Sequence, residues 1–137
     1  MPSPRIELSS RLAEQIRAQA LDAFPRECCG LLEGGREGED FHVAALHPAS
    51  NLSSQTDRFE IDPRDQIAAQ KSARLRGRAI IGCYHSHPNG SAQPSAADRA
   101  GAVEEGFVWL IVSADEFGAF VYRGGEFLGA DWVTSSQ

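Results

Sequence analysis

The chain is 137 residues long, 42% hydrophobic and 23% charged, which suits one domain with a real core and leaves no room for a second. Its net charge of −6, from 13 basic and 19 acidic residues, excludes the basic stripe that a nucleic-acid surface requires. No apolar run approaches a membrane span and Met1-Pro2-Ser3-Pro4-Arg5 lacks a signal-peptide core, so the expectation is a single cytoplasmic domain over 1–137 without nucleic-acid or membrane partners.

In chain order, Ser9-Ser10 ahead of Leu12, Ile16, Ala20 and Phe24 gives an N-cap and an apolar stripe of helical period that stops at Pro25. Cys28 to Glu33 reads as a buried strand, Gly34-Gly35-Arg36-Glu37-Gly38 as a turn, and Phe41 to Leu46 as the second arm of a hairpin. Pro48 to Gln55 is a polar loop, followed by a short strand at Arg58 to Ile61 with Phe59 and Ile61 on one face. Asp62-Pro63 supplies the N-cap and first residue of a helix through Ile67 and Ala68 to Leu75, with Gly77 as its stop. Ala79 to Tyr84 is apolar enough for a central strand, Ser95 to Glu105 predicts a third helix, and Phe107 to Val112 another central strand. Ala119 to Tyr122 and Glu126 to Trp132 form a terminal antiparallel pair around Arg123-Gly124-Gly125. Helices and strands interleave without strict βαβ alternation. That predicts an α/β fold of the α+β kind, a mixed, mainly antiparallel sheet flanked by helices.

The chemistry concentrates in Gly82-Cys83-Tyr84-His85-Ser86-His87-Pro88 and in Ser95-Ala96-Ala97-Asp98. His85 and His87, at i and i+2 of an extended strand, share one face. Asp98 arrives after the turn-rich Asn89-Gly90-Ser91-Ala92-Gln93-Pro94 and adds a carboxylate. Three such ligands leave a tetrahedral zinc ion one open position, the mark of a catalytic site. Glu27, at the mouth of an apolar strand and just after Pro25, is placed to face a cleft as a general base, and Ser95 is a candidate oxyanion donor. Each alone has a plainer reading: Ser95 and Asp98 as a helix-capping pair, the histidines as a hydrogen-bonded pair at a strand end, Glu27 as a surface charge. The combination favours a metal centre. His42 and His47 read as ordinary surface or edge-strand histidines. Cys28, Cys29 and Cys83 form neither a CxxC pair nor a disulfide framework and read as core fillers, with Cys83 also a candidate redox-sensitive thiol on the metal's strand face.

Glu27, then His85-Ser86-His87-Pro88, seven residues to Ser95, and Asp98 three beyond resemble the JAMM motif of the MPN+ zinc metallopeptidases. Pro25-Arg26-Glu27-Cys28-Cys29-Gly30-Leu31-Leu32-Glu33-Gly34 and the block 82–88 are similar to the short prokaryotic members, so the resemblance covers most of residues 8–130. It implies a cytidine-deaminase-like MPN fold, a curved sheet between helices with zinc at a strand end. It implies Zn2+ held by His85, His87 and Asp98, with Glu27 moving the proton from water to the leaving amine and Ser95 hydrogen-bonding the oxyanion. The implied reaction is hydrolysis of the peptide or isopeptide bond after the C-terminal Gly-Gly of a ubiquitin-like or sulfur-carrier protein. Its tail would add to a sheet edge as a strand, beside the loops at Pro48 to Asp57 and Asn89 to Pro94. The alternative is a non-catalytic MPN scaffold that binds a ubiquitin-like partner. Inactive relatives typically lack one or more metal ligands, and all are present here. A metallo-β-lactamase-like or phosphoesterase site would want further ligands close behind His87, and Pro88-Asn89-Gly90 offers none.

Overall fold

The computed structural model of the chain describes residues 3–88 and 90–134. Met1 and Pro2 of the segment read for a signal peptide, and Asn89 of the expected turn-rich loop, lie outside the described residues. The elements are β1 (Arg5–Glu7), α1 (Ser10–Ala23), β2 (Cys29–Glu37), β3 (Asp40–Ala49), α2 (Pro63–Leu75), β4 (Ala79–Ser86), α3 (Ala96–Gly101), β5 (Val108–Val112), β6 (Phe117–Arg123), β7 (Glu126–Gly129) and β8 (Asp131–Val133). All eight strands join one sheet in the order β7-β6-β5-β4-β2-β3-β1-β8. The β2–β3, β2–β4, β5–β6 and β6–β7 pairs are antiparallel, and β4–β5, β1–β3 and β1–β8 are parallel. No helix among the described residues is long and apolar enough to cross a membrane.

Strand alternation sorts the core into two layers. Tyr84 of β4 and Val108, Leu110 and Val112 of β5 face the side covered by α1, where they pack with Leu12, Ala13 and Ile16. Cys83 of β4, Trp109 and Ile111 of β5 and Leu31 of β2 face the other side, which packs with Ala69 of α2 and Ala102 beyond α3. Close approach across the sheet requires glycine at Gly30, where an added Cβ would lie 2.2 Å from the Tyr84 ring. Ser9 caps α1 by accepting the Leu12 N–H at 3.1 Å. Asp62 caps α2 by accepting the Arg64 N–H at 2.9 Å, ahead of Pro63 at the first helical position.

The sheet is curved, and its topology requires it. β7 and β8 lie at opposite ends of the strand order yet are joined by Ala130 alone, so their nearest ends are separated by at most about 7 Å of extended chain. The two edges therefore meet. The Ala130 N–H donates to the Ala119 carbonyl at 2.9 Å, the Asp131 N–H donates to the Pro4 carbonyl at 2.8 Å, and Trp132 stacks on Phe117 at 4.8 Å.

Several expected elements differ. Gly34 to Glu37 continue β2 rather than turning, and the register shifts by a bulge between Glu33 and Gly34. An added Cβ at Gly34 would lie 1.9 Å from the His42 carbonyl oxygen, so glycine here serves strand contact. Arg58 to Ile61 is not a strand: a single bridge, Asn51 to Ile61, stands in for a ladder. The third helix ends at Gly101, and Ala102 is extended, because Val103 is 86% exposed and gives the next turn no buried face. Glu126 to Trp132 splits at Ala130 into β7 and β8, and β1 and β8 are too short to carry a period. Phe24 is 60% exposed and lies off the apolar stripe of α1.

Glu33, fully buried on β2, binds α2 and its following turn to the sheet. Its carboxylate accepts from Arg76 at 2.6 and 3.0 Å, from Arg78 at 2.7 Å, and pairs with His47 at 2.8 Å. His47 is thus not an edge-strand residue; β3 is interior and its ring partners Glu33, whereas His42 is exposed and pairs with Glu7. Hydrogen bonds from Arg76 outweigh the burial of Glu33 and hold its carboxyl well below the usual range. A depressed carboxylate stabilises the fold fully above its ordinary pKa of 4.5 and loses that contribution as pH falls below it. Replacing Glu33 by Gln is expected to destabilise the protein at pH 7 by roughly 2–4 kcal/mol, less than for a fully buried pair because both arginines are partly exposed. The melting-temperature gap between parent and Glu33→Gln should shrink on acidification below about pH 4.5. A pH-independent gap would show that the ionised carboxylate is not the stabilising species.

Candidate active site

The site is built on the β2–β4 ladder. His85 is the penultimate residue of β4 and fully buried, and His87, one residue beyond the strand, donates its N–H to the Val112 carbonyl at 2.8 Å. Both share the face of Cys83, on the side away from α1. Cys29 pairs with His85 and Gly30 with Tyr84 across the antiparallel ladder. Extending that register two residues sets Glu27 opposite His87, on the same face. Ser86, between the histidines and therefore on the other face, locks the register: its hydroxyl accepts the Cys28 N–H at 2.8 Å, and its own N–H donates to the Cys28 carbonyl at 3.2 Å. This positioning role was not read from the sequence, although its place between two same-face histidines was the available signal.

The predicted ligands converge. His85 Nε2 and His87 Nε2 are 3.0 Å apart, and the Asp98 carboxylate lies 3.0 Å from each. Around an ion with bonds of about 2.0 Å, tetrahedral ligand atoms are about 3.3 Å apart, so these three donors already stand near the spacing a zinc ion imposes. Donor atoms of Glu27, His85 and His87 also lie within 4.8 Å of one another, with Glu27 as the more distant carboxylate. His87 is oriented by its Nδ1, which meets the Ser91 carbonyl at 2.8 Å and leaves Nε2 for the ion. His85 has no such anchor: its buried Nδ1 has no partner among the described residues. Instead Phe59 stacks on its ring at 4.3 Å and 26°, and Trp109 meets the ring edge-on at 5.7 Å.

Ser95 caps α3. Its hydroxyl accepts the Asp98 N–H at 3.1 Å and its N–H donates to Asp98 Oδ2 at 2.9 Å, a reciprocal capping box. The capping and site readings coexist, because the cap uses the hydroxyl oxygen as acceptor and leaves its O–H free to donate.

Burial sets the electrostatics. Glu27 is 3% exposed and its Oε1 has no hydrogen-bond partner among the described residues. Burial pushes its pKa up to about 7, against the attraction of His87 and together with the repulsion of Asp98. Burial also lowers His85, favouring the neutral imidazole that binds metal. Asp98 is buried as well, but the two imidazoles beside its carboxylate outweigh that and hold it well below the usual carboxylate range. Cys83 is buried on the same face, and burial and then Asp98 raise its thiol well above its ordinary value. Cys28 and Cys29 are buried and free, and burial pushes Cys29 up to about 12.

Cavities flank the ligands on two sides. One of about 510 Å³ is walled by Phe59, Ile61, Cys83, Asp98, Phe107 and Trp109. The other, about 390 Å³, is lined by Leu21, Phe24, His87, Pro88 and Val112. The walls of the first include Arg58 to Ile61 and α3, and Pro48, Ala49 and Asn51 line a third cavity of about 340 Å³ together with Glu27. Among the described residues β4 is paired on both sides and the sheet edges lie at β7 and β8.

Metal content separates the two carboxylates. His85→Ala and Asp98→Asn are expected to lose zinc on dialysis, as read by elemental analysis, while Glu27→Gln retains about one ion per chain. Zinc loss from Glu27→Gln with retention by Asp98→Asn would exchange their roles.

Residues 9–123 match the family described as prokaryotic homologs of the JAB domain. The chain is 33% identical over 133 residues to a desampylase of Haloferax volcanii, covering 93% of this chain and 94% of that protein. It is 35% identical over 88 residues, covering 64% of this chain and 56% of the other, to a probable TtuB-protein conjugate cleaving protease of Thermus thermophilus. A solved protein from Desulfitobacterium hafniense superimposes with a TM-score of 0.88 at 33% identity, over 96% of this chain and 94% of that one. With Glu27, His85, His87 and Asp98 gathered at the end of a central strand of a curved mixed sheet, the chain belongs to the prokaryotic JAB-domain, or JAMM/MPN, family.

Proposed function

We propose that this protein is a zinc-dependent metallopeptidase that hydrolyses the peptide or isopeptide bond after the C-terminal Gly-Gly of a ubiquitin-like or sulfur-carrier protein. The observation that carries the reading is Glu27: a buried carboxyl with an unpartnered oxygen, within 4.8 Å of the donor atoms of both histidines. Leaving such a group unpaired costs on the order of a few kcal/mol, which a scaffold has no reason to retain and a proton-transfer residue does. The conjugate-cleaving names of the Haloferax and Thermus relatives point the same way.

His85, His87 and Asp98 would hold the ion. Zinc, when bound, supplies Lewis acidity to the scissile carbonyl and to the attacking water. Glu27 takes the proton of that water and delivers it to the leaving amine, a role that suits a carboxyl whose burial raises its pKa. Ser95 donates its free O–H to the carbonyl oxygen as charge develops there. The cavity beside Asp98 receives the acyl-side tail, whose backbone can align along Arg58 to Ile61. The cavity beyond His87 gives the leaving-group chain its exit.

The test incubates zinc-loaded protein with ubiquitin-like and sulfur-carrier proteins extended beyond Gly-Gly and reads the released mass. Cleavage after the second glycine is expected, and Glu27→Gln should lower kcat by about 10²–10⁴-fold while leaving substrate binding intact. Near-parental turnover by Glu27→Gln would remove the proton-transfer assignment. Tight binding of such carriers by the zinc-loaded parent without cleavage would favour a scaffold.

A further inference from the structure

Asn51 lies outside the ligand cluster, just past β3, and its side-chain amide uses all four of its hydrogen-bonding positions. Oδ1 accepts the N–H of Ser53 at 2.9 Å and of Glu60 at 3.0 Å. Nδ2 donates to the Glu27 carbonyl at 3.0 Å and reaches the Arg58 carbonyl at 3.5 Å. An amide has two acceptor and two donor positions and no more. Flipping it would set N–H against N–H and oxygen against oxygen at every contact, so its orientation is fixed. Arg26, adjacent to Glu27, donates to the Asn51 carbonyl at 2.7 Å and to the Ser53 carbonyl. The Leu52 N–H closes the loop onto the Glu60 carbonyl at 2.8 Å.

These contacts join two parts of the site that the sheet does not connect. Arg58 to Ile61 is not a strand and has only one bridge, Asn51 to Ile61, yet it carries Phe59, which stacks on His85 and walls the larger cavity. Glu27 precedes β2, beyond the last ladder pair at Cys29. The 58–61 segment has no ladder where it meets the site, and Glu27 lies one residue beyond the hydrogen bonds between Ser86 and Cys28.

We propose that Asn51 is a positioning residue that couples Glu27 to the substrate groove: its donor fixes the backbone of Glu27, and its acceptor holds the 58–61 segment with Phe59 against His85. The inference rests on the peptidase reading for its kinetic consequences. The two halves of the amide then do separable work. Asn51→Asp keeps the acceptor but loses the donor and sets a carboxylate oxygen against the Glu27 and Arg58 carbonyls, so kcat should fall about 10-fold or more, with a smaller rise in KM than Asn51→Ala gives. Asn51→Ala loses both, so KM should rise as well, and in a Glu27→Gln background it should weaken binding of a Gly-Gly-extended carrier. Amide hydrogen exchange at Ser53 and Glu60 should be accelerated by Asn51→Ala and stay near parental in Asn51→Asp. All variants should keep parental zinc content.

The split between the two variants is what a merely structural role would not produce. The coupling is overturned if both variants keep kcat and KM within about twofold of the parent, if kcat and zinc content fall together, or if Asn51→Ala leaves the Ser53 and Glu60 amides protected. Exchange and zinc content need no turnover, so an absence of cleavage by the parent would remove the peptidase reading while these measurements still decide the latch. If Asn51→Ala does not fold, Asn51→Asp carries the kinetic test.

Discussion

The pairing of Cys29 with His85 across β2 and β4 fixes most of what the site can do. It places Glu27 opposite His87 with no contact between the two required to establish it, and the two hydrogen bonds between Ser86 and Cys28 hold that register at the strand end. A slip of one residue would turn Glu27 toward the α1 face, because side-chain direction has a period of two. Glu27 and the two histidines thus share one face through the β2–β4 register, and Asp98 reaches them from α3.

Two glutamates on one segment show how environment divides identical side chains. Glu27 and Glu33 are six residues apart and both nearly inaccessible. Glu33 meets two guanidinium groups and an imidazole and is held ionised. Glu27 has an oxygen with no partner among the described residues and is pushed up to about 7. Burial acts in the same direction on both; the partners decide which way each pKa moves. One carboxylate fastens α2 to the sheet, and the other stands beside the two histidines.

The histidines divide similarly. His87 is oriented by a hydrogen bond to Ser91, and His85 by aromatic packing against Phe59 and Trp109, a cluster that continues from Trp109 to Phe127 of β7. The imidazole plane at the metal position is therefore tied to the hydrophobic layer on the α2 side of the sheet. The curl that brings β7 round to meet β8 also carries Phe127 to Trp109.

The sequence by itself determined the elements with strong local signals and singled out residues that the fold brings together at the end of β4. Ser9, Asp62 with Pro63, and Ser95 with Asp98 announced helix starts because a cap is satisfied within three residues. His85 and His87 announced a shared face because a strand alternates. Only tertiary structure decided where β2 turns, since Gly34 serves close contact with His42 rather than a turn, and that Glu126 to Trp132 divides between opposite ends of a sheet that closes on itself. It also decided the partners of His47, the burial of Cys83, and the places of Asn51 and Phe59. Those depend on contacts between residues far apart in the chain, and a local pattern of period 2 or 3.6 carries no record of them.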